Sequence, residues 1–297
     1  MIMTKKKIFA GLFCAFLLAV ACLIQAFFVE PNSLSVTRKQ IRFDGWAGTQ
    51  NRIRVAVAGD FHFAPNDGAR AEKIVEAILA ENPDAIFLLG DYANGHKRES
   101  SMSPRAIAKH LGRLAEKIPV FAVLGNHDAY VGRREIADAL REHGIVVFEE
   151  KGGRVLSLKN GSRIFVGGTL DAHSYFPVFD RDDIPENPHA GTMPFVLLSH
   201  SPDVLPFLDA GIDLTLCGHT HGGQICLPGG LPIFNSCRVA ENQFSSGMQT
   251  VPASGKPIFI TRGLGTSVLP LRFFCLPEIA VLELLPAKQS RNTSSSE

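Results

Sequence analysis

The chain has 297 residues, 45% of them hydrophobic and 20% charged, which is ordinary globular composition with ample apolar material for a core. Its 30 basic and 29 acidic side chains leave a formal net charge of +1, so it lacks the basic excess of a nucleic-acid binder and no nucleic-acid partner is expected. Length alone allows one large domain or two ordinary ones, and says nothing of oligomeric state.

The first thirty residues differ in kind. Lys5, Lys6 and Lys7 precede an apolar run over residues 8–29, interrupted only by Gln25 and small residues. As a helix that run spans roughly 33 Å, enough to cross a bilayer. Ala19-Val20-Ala21 offers a signal-peptidase site, and Cys22 after it a lipidation site. Apolar character continues past both, however, which predicts a retained anchor over residues 1–30. The expected location is therefore a bacterial inner (cytoplasmic) membrane, crossed once. The three lysines place the N-terminus in the cytoplasm and the domain outside, whereas Arg38, Lys39 and Arg42 pull the other way. The count tips towards a domain outside and leaves its side open.

Residues 31–51 read as a polar connector with a short strand at 41–43, and residues 52–286 as the folded domain. Residues 53–58 are a β-branched run ending at Gly59, hence a core strand. A helical stripe follows over 69–80 and stops at Pro83. Residues 85–89 form the next strand, ending in Gly90-Asp91. Ser103 caps a helix with Pro104 in its first position, running to about residue 117. Strand 120–124 ends in Gly125-Asn126-His127-Asp128, a helix covers 135–143, and 145–148 is a strand. Asn160-Gly161 then marks a hairpin between 155–158 and 163–166. A proline-rich loop spans 177–194, strands 195–198 and 213–217 flank a short helix at 203–208, and the last strands are 257–261 and 279–284. The Ser-rich tail 287–297 is expected to be disordered. β-α-β units followed by hairpins imply a mixed α/β protein with two sheets and helices outside them.

Five motifs sit where these strands end: Asp60-Phe61-His62, Gly90-Asp91, Asn126-His127-Asp128, Ser199-His200 and His219-Thr220-His221. Strand ends of open α/β sheets are where ligands bind. Residues two apart on an extended backbone share a face, so Asp60 with His62, and His219 with His221, each offer two donors to one place. Glycines at 59, 90, 125 and 218 let the backbone turn sharply there. Each motif alone has a plain alternative, a solvated loop, a helix cap or a hydrogen-bonded loop histidine; the five in order outweigh it. Imidazoles with carboxylates suit Mn, Fe or Zn rather than Ca.

In these motifs the chain resembles the calcineurin-like metallophosphoesterases, whose D-x-H, G-D, G-N-H-[DE], lone H and G-H-x-H elements all occur in order between Asp60 and His221. The resemblance covers roughly residues 50–285. The string Gly218-His219-Thr220-His221-Gly222-Gly223-Gln224-Ile225, with the anchor, is similar to a narrower branch of membrane-associated bacterial phosphodiesterases and UDP-2,3-diacylglucosamine pyrophosphatases. It implies a four-layer α-β-β-α sandwich, two mixed β-sheets flanked by helices, behind an N-terminal transmembrane helix. It further implies a hydrolase with two divalent metal ions (Mn, Fe or Zn). Asp60, His62 and His221 would hold one ion, Asn126, His200 and His219 the other, and Asp91 would bridge them. His127 would be the acid beside the leaving group, with Asp128 orienting its ring. The implied reaction is attack of a metal-activated hydroxide on a phosphodiester or pyrophosphate, with a lipid-linked or nucleotide substrate such as UDP-2,3-diacylglucosamine as one candidate. The alternatives are a broad-specificity phosphodiesterase without a lipid substrate and a non-catalytic metal-binding scaffold. Purple acid phosphatases carry a Tyr ligand two or three residues after the bridging Asp; here Tyr92 is adjacent, which argues against that class.

Arg133 and Arg134 are candidate phosphate clamps, against the plainer reading of a solvated helical turn. His96 and Asn94 are candidate pocket residues. Phe176 and Phe179 suggest a lid or lipid-contacting loop, or a loop with one buried aromatic, and Phe273-Phe274 is expected in the core, with a membrane-facing position as the alternative. Of six cysteines none has CxxC spacing; Cys217 reads as a buried thiol, and Cys226 with Cys237 as a pair only if the domain lies outside.

Overall fold

Residues 5–43 and 51–286 are described in the computed structural model. The tail 287–297 and the middle of the connector lie outside the described residues. The apolar N-terminal run forms α1, Lys5–Ile24, continued by one wide π turn over Gln25–Val29 and a 3-10 turn over Glu30–Asn32. It is the one helix among the described residues long and apolar enough to cross a membrane, and its side chains are almost all exposed.

Two six-stranded sheets build the domain. Strands β1 (Ser35–Phe43), β2 (Ile53–Ala58), β3 (Ala85–Leu88), β4 (Val120–Val123), β5 (Val146–Phe148) and β14 (Glu278–Pro286) make the first, in the order β1-β14-β2-β3-β4-β5. β2 through β5 are mutually parallel, β14 is antiparallel to β2, and β1 is parallel to β14. The second sheet contains β6 (Gly152–Ser157), β7 (Arg163–Gly168), β8 (Phe195–Leu198), β9 (Leu214–Cys217), β12 (Gly247–Thr250) and β13 (Pro257–Ile260). Its order is β12-β13-β9-β8-β7-β6, with a parallel centre and an antiparallel strand at each edge. A small ribbon of β10 (Cys226–Leu227) and β11 (Leu231–Pro232) stands apart.

β3, β4, β8 and β9, at the middle of the two sheets, are short and wholly buried runs, as expected of sheets covered on both faces. Val55, Val57, Phe87, Val123, Val196 and Leu216 belong to the core between the sheets. The outer face of the first sheet packs on α2 (Gly68–Ala80), α3 (Pro104–Ala115) and α5 (Arg133–Glu142). α2 presents Ala71, Ile74, Val75 and Ile78, the i, i+3, i+4, i+7 stripe of an amphipathic helix. Ser103 caps α3 as expected, its hydroxyl accepting from the Ala106 amide at 3.3 Å. The outer face of the second sheet is covered by α6 (Ala172–Tyr175), a 3-10 turn over Pro202–Phe207 and the proline-rich loop. The fold is thus two large mixed sheets flanked by helical segments, behind one apolar helix.

β1 is nine residues long rather than three. Arg38, Lys39 and Gln40 face solvent and hide it as polar connector, while Ile41 and Phe43 reach the core. The cysteines also differ from the expected pairing. Cys217 is buried as read, but Cys226 and Cys237 are both free thiols, Cys226 hydrogen-bonded to the Cys275 thiol and the Gly222 carbonyl and Cys237 to Ser201.

Candidate metal centre

The C-terminal ends of β2, β3 and β4 in one sheet, and of β8 and β9 in the other, open onto the same place. Asp60 and His62 follow β2, Asp91 follows β3, Asn126 follows β4, His200 follows β8, and His219 with His221 follow β9. Their donor atoms gather into overlapping groups, each within 4.8 Å: Asp60, His62 and His221; His62, Asp91 and His127; Asp91, His200 and His219. The Asn126 Oδ1 joins the last, 3.1 Å from His200 Nε2 and 3.0 Å from His219 Nδ1. Asp91 stands between the halves, its Oδ2 3.5 Å from His62 Nε2 and 3.3 Å from His200 Nε2. All seven sequence-read ligand candidates are therefore brought together.

The backbone achieves this differently from the extended-strand argument. Asp60, His62, Asp91, His219 and His221 all have positive φ, between 43° and 70°. Left-handed conformations cost a non-glycine residue roughly 1–2 kcal/mol each, and clusters of them mark functional sites. The neighbouring glycines serve close approach more than turning: a Cβ on Gly125 would clash with the Asp91 carboxylate, and one on Gly218 would lie 3.0 Å from Asp60 Oδ2. Gly90 alone of the four has positive φ, at 86°.

The chemistry of this cluster fits divalent cations. Asp60 Oδ2, His62 Nδ1 and His219 Nε2 are buried without a hydrogen-bond partner, which a folded protein tolerates poorly unless something else satisfies them. The Nε2 atoms of His62 and His221 lie 3.0 Å apart and can share at most one proton. Burial, reinforced by the Asp91 charge, pushes the Asp60 carboxyl up to about 7. Burial lowers His62 to about 3 and His219 to about 4, and His221 well below its usual range, so these rings stay neutral with lone pairs free. Opposing its own burial, the His200 imidazole draws Asp91 well below the usual carboxylate range, and Asp91 in turn holds His200 well above.

A pH dependence follows for the metal-free chain. Between pH 6.5 and 4 the folded state binds fewer protons at His62, His219 and His221 than the unfolded state does. Stability present above pH 6.5 is lost as the pH falls through that window. Asp60 and Asp128 oppose them, burial raising their carboxyls to about 7 and about 6 so that their contributions are lost as pH rises through those values, but they are two groups against three. The melting temperature of chelator-treated protein should fall from pH 6.5 to pH 4; a flat or rising profile would contradict the neutral-imidazole assignment.

His127 and Asp128 lie in α4 (Asn126–Val131), so the Asn-His-Asp motif opens a helix rather than forming a turn. Asp128 does not orient the His127 ring as expected, but serves the backbone. Its carboxylate accepts four backbone amides, those of Asp91, Tyr92, Ala93 and Gly125, at 2.9–3.0 Å. It thus fixes the loop that carries Asp91. The His127 ring is held instead by the Gly95 carbonyl, 2.8 Å from Nδ1, leaving Nε2 directed at the cleft and 3.5 Å from Ser267 Oγ. The His96 ring stacks on His127 at 5.0 Å, and Asn94 ties down the same loop through Ser100 and Ser101. Tyr92 turns away from the cluster, its hydroxyl donating to the Val123 carbonyl at 3.0 Å.

The arginine candidates fall elsewhere. Arg134 is exposed and lies 3.8 Å from Asp138; Arg133 donates to the Glu149 carbonyl and lies over the Tyr175 ring. Neither lines the cleft above the cluster, a cavity of about 640 Å³ that His127, His173, His219 and His221 border. Phe179 is core and Phe176 half-exposed; Phe274, expected in the core, is exposed.

Two residues escaped the sequence reading. The His173 ring packs 4.2 Å from that of His219, its Nδ1 2.8 Å from Asp203. Although burial pushes Asp203 up, His173 and the amides of Val239 and Arg238 bring it down to about 2. Arg272, wholly buried, donates to the carbonyls of Gly265, Arg262, Cys275 and His221 and so braces the His221 loop. Neither has a patterned neighbour in sequence; Arg272 sits in an apolar run that reads as core.

A family model described as calcineurin-like phosphoesterase matches residues 53–223. The chain is 34% identical over 267 residues to phosphodiesterase YaeI of Escherichia coli K12, covering 87% of this chain and 91% of that one. It is 28% identical over 306 residues to the uncharacterized metallophosphoesterase YkuE of Bacillus subtilis, covering 95% and 98%. Identity is 26% over 303 residues to the UDP-2,3-diacylglucosamine pyrophosphatase LpxG of Chlamydia muridarum, covering 86% and 91%.

Proposed function

This chain belongs to the calcineurin-like phosphoesterases and is a metal-dependent hydrolase of that family, and from that premise we propose that it cleaves a phosphodiester or pyrophosphate bond with two divalent ions, anchored to a membrane by α1. The observation that carries this is the set of interlocked donor groups sharing Asp91. Asp60, His62 and His221 would hold one ion, Asn126, His200 and His219 the other, and Asp91 both. Ions so held supply Lewis-acid polarisation of the phosphoryl oxygens and a water activated at neutral pH.

The chain's own residues do the rest. Neutral His62, His219 and His221 with two carboxylates leave the ion pair's charge only partly cancelled, which favours a phosphate anion in the cleft. His127 donates Nδ1–H to the Gly95 carbonyl and presents Nε2 at the cleft wall, an orientation in which a proton carried on Nε2 would be given to a departing oxygen. Asp128 and Arg272 hold the loops that carry Asp91 and His221.

Relatives named phosphodiesterase and UDP-2,3-diacylglucosamine pyrophosphatase support diesters and pyrophosphates over monoesters, and the second supports a lipid-linked substrate. The test is the Mn²⁺-loaded full chain assayed on bis-p-nitrophenyl phosphate, p-nitrophenyl phosphate and UDP-2,3-diacylglucosamine. Diester or pyrophosphate turnover exceeding monoester turnover is expected; monoester preference, or none at all, sinks the reading.

The anchor is expected to set location rather than chemistry. Removing residues 1–24 spares the Ala26 carbonyl, bonded by the Arg272 amide, and Glu30, bonded by the Cys275 amide. The truncated chain should hydrolyse a soluble diester unchanged and stay in the supernatant when membranes are pelleted. A full-length chain that also stays there contradicts the anchor.

A further inference from the structure

Two segments flank the metal cleft and carry an unusual surface. One runs from Gly222 to Ser236 and contains the β10–β11 ribbon; the other runs from Gly263 to Pro277. The first contains no Asp, Glu, Lys or Arg, and the second only Arg272, which is wholly buried. What they show to solvent is apolar: Leu231, Ile233, Phe234, Val268 and Phe274 are all exposed, Val268 to 92%. Scattered exposed apolar side chains are normal, but a contiguous uncharged apolar lip at a site marks an interaction surface. The segments are contiguous: the Cys226 amide donates to the Phe273 carbonyl at 2.8 Å, and Gln224 Nε2 to the Leu269 carbonyl at 2.9 Å. Val268 and Phe274 both have positive φ, a β-branched and a bulky residue displayed outward from a strained backbone.

Its occupant is indicated by what the lip is tied to. The Arg272 amide donates to the Ala26 carbonyl at 3.0 Å, and the Cys275 amide to the buried Glu30 carboxylate at 3.1 Å. The lip is therefore one hydrogen bond from the π and 3-10 turns that continue α1. A second cavity, of about 380 Å³, runs from Pro31 and Asn32 at the base of that helix to His62, and Val268 and Leu269 line both it and the metal cleft. A helix that leaves a bilayer at Asn32 must carry these side chains with it to the bilayer surface.

We propose that the apolar lip formed by residues 225–234 and 268–276 is seated in the surface of a phospholipid bilayer, so that the metal cleft opens onto lipid and admits a substrate whose acyl chains stay in the membrane. This rests on α1 being the anchor, and not on the metal assignment. A chain that merely hung from α1 by a free connector would face water with its cleft; this one is pinned to its anchor at the lip itself. The substrate class that follows is an amphiphile carrying a phosphodiester or pyrophosphate at headgroup depth.

The test places a reporter on each arm of the lip, away from the residues that border the cleft. The chain's single tryptophan, Trp46, is replaced by phenylalanine, and Leu231→Trp and Phe274→Trp are made separately in the full-length background. Each is reconstituted in phosphatidylethanolamine–phosphatidylglycerol vesicles with and without brominated acyl chains. Fluorescence at both positions should be quenched by the brominated lipid, by about half, and shielded from aqueous iodide. Quenching by iodide alone, or protection from both quenchers as in a face covered by a second copy, overturns the proposal. Hydrolysis of bis-p-nitrophenyl phosphate by the same samples separates the two readings. Hydrolysis without lipid quenching removes the lip and leaves the enzyme; lipid quenching without hydrolysis does the reverse. Leu231→Asp with Phe274→Asp should then lower turnover of a vesicle-embedded pyrophosphate at least tenfold with soluble-diester turnover unchanged, and equal turnover on both substrates counts against the lip.

Discussion

Asp91→Ala is expected to lose both metal ions and to lower phosphodiester turnover by more than any other single ligand replacement, on the order of 10⁴-fold or beyond. Asp91 is the one carboxylate common to two of the donor groups, and a single oxygen reaches into both. Oδ2 faces both His62 and His200, while Oδ1 accepts the His127 amide at 2.8 Å. Deleting it removes a negative charge from both ion positions and unties the first turn of α4. Asp91→Asn keeps the volume and the amide contact, so an equal loss there would assign the effect to charge rather than to folding. Asp60→Ala makes the comparison, since Asp60 belongs to one group only and its loss should leave an ion at the other. Metal analysis of Asp91→Ala still returning two ions per chain would remove the shared-ligand role.

His127→Ala should behave differently: both ions retained, and turnover lowered by ~10²–10⁴. The ring lies against His62, with centroids 4.6 Å apart, and its Nε2 could be read as one more ligand. The Gly95 carbonyl accepts from Nδ1–H, so a proton for a leaving group would have to sit on Nε2, the nitrogen facing the cleft. The loss should shrink for p-nitrophenolate, which leaves without a proton, and be full for an alkoxide. An equal loss for both leaving groups, or a loss of metal, would make His127 a ligand instead of an acid.

Much of this site is legible in the sequence because its pieces sit at the most readable points of the chain. β2, β3, β4, β8 and β9 are short buried apolar runs, and each is followed within three residues by a ligand candidate. Local pattern therefore locates the strand ends, and the residue types there name the chemistry. What local pattern does not carry is backbone handedness: Asp60, His62, Asp91, His219 and His221 converge through positive φ that the sequence signals nowhere. Nor does it carry partners distant in the chain. Asp128 beside His127 invites a dyad, yet its carboxylate is consumed by amides from two loops. Arg272 lies 51 residues from His221 in sequence and reads as an interruption in an apolar run. His173 has no patterned neighbour, and finds Asp203 only after β8 and the following turn are placed. β1 reads short in the sequence for a third reason, since an edge strand exposes the side chains that mark a connector.

Two ions per active site can be counted by titrating metal into the chelator-treated full-length chain. Hydrolysis of bis-p-nitrophenyl phosphate is followed as Mn²⁺ is added to a protein concentration well above the dissociation constants. Activity absent at the start and reaching its plateau at two equivalents per chain is the predicted result. A plateau at one equivalent, or hydrolysis that never appears with Mn²⁺, Fe²⁺ or Zn²⁺, would contradict it.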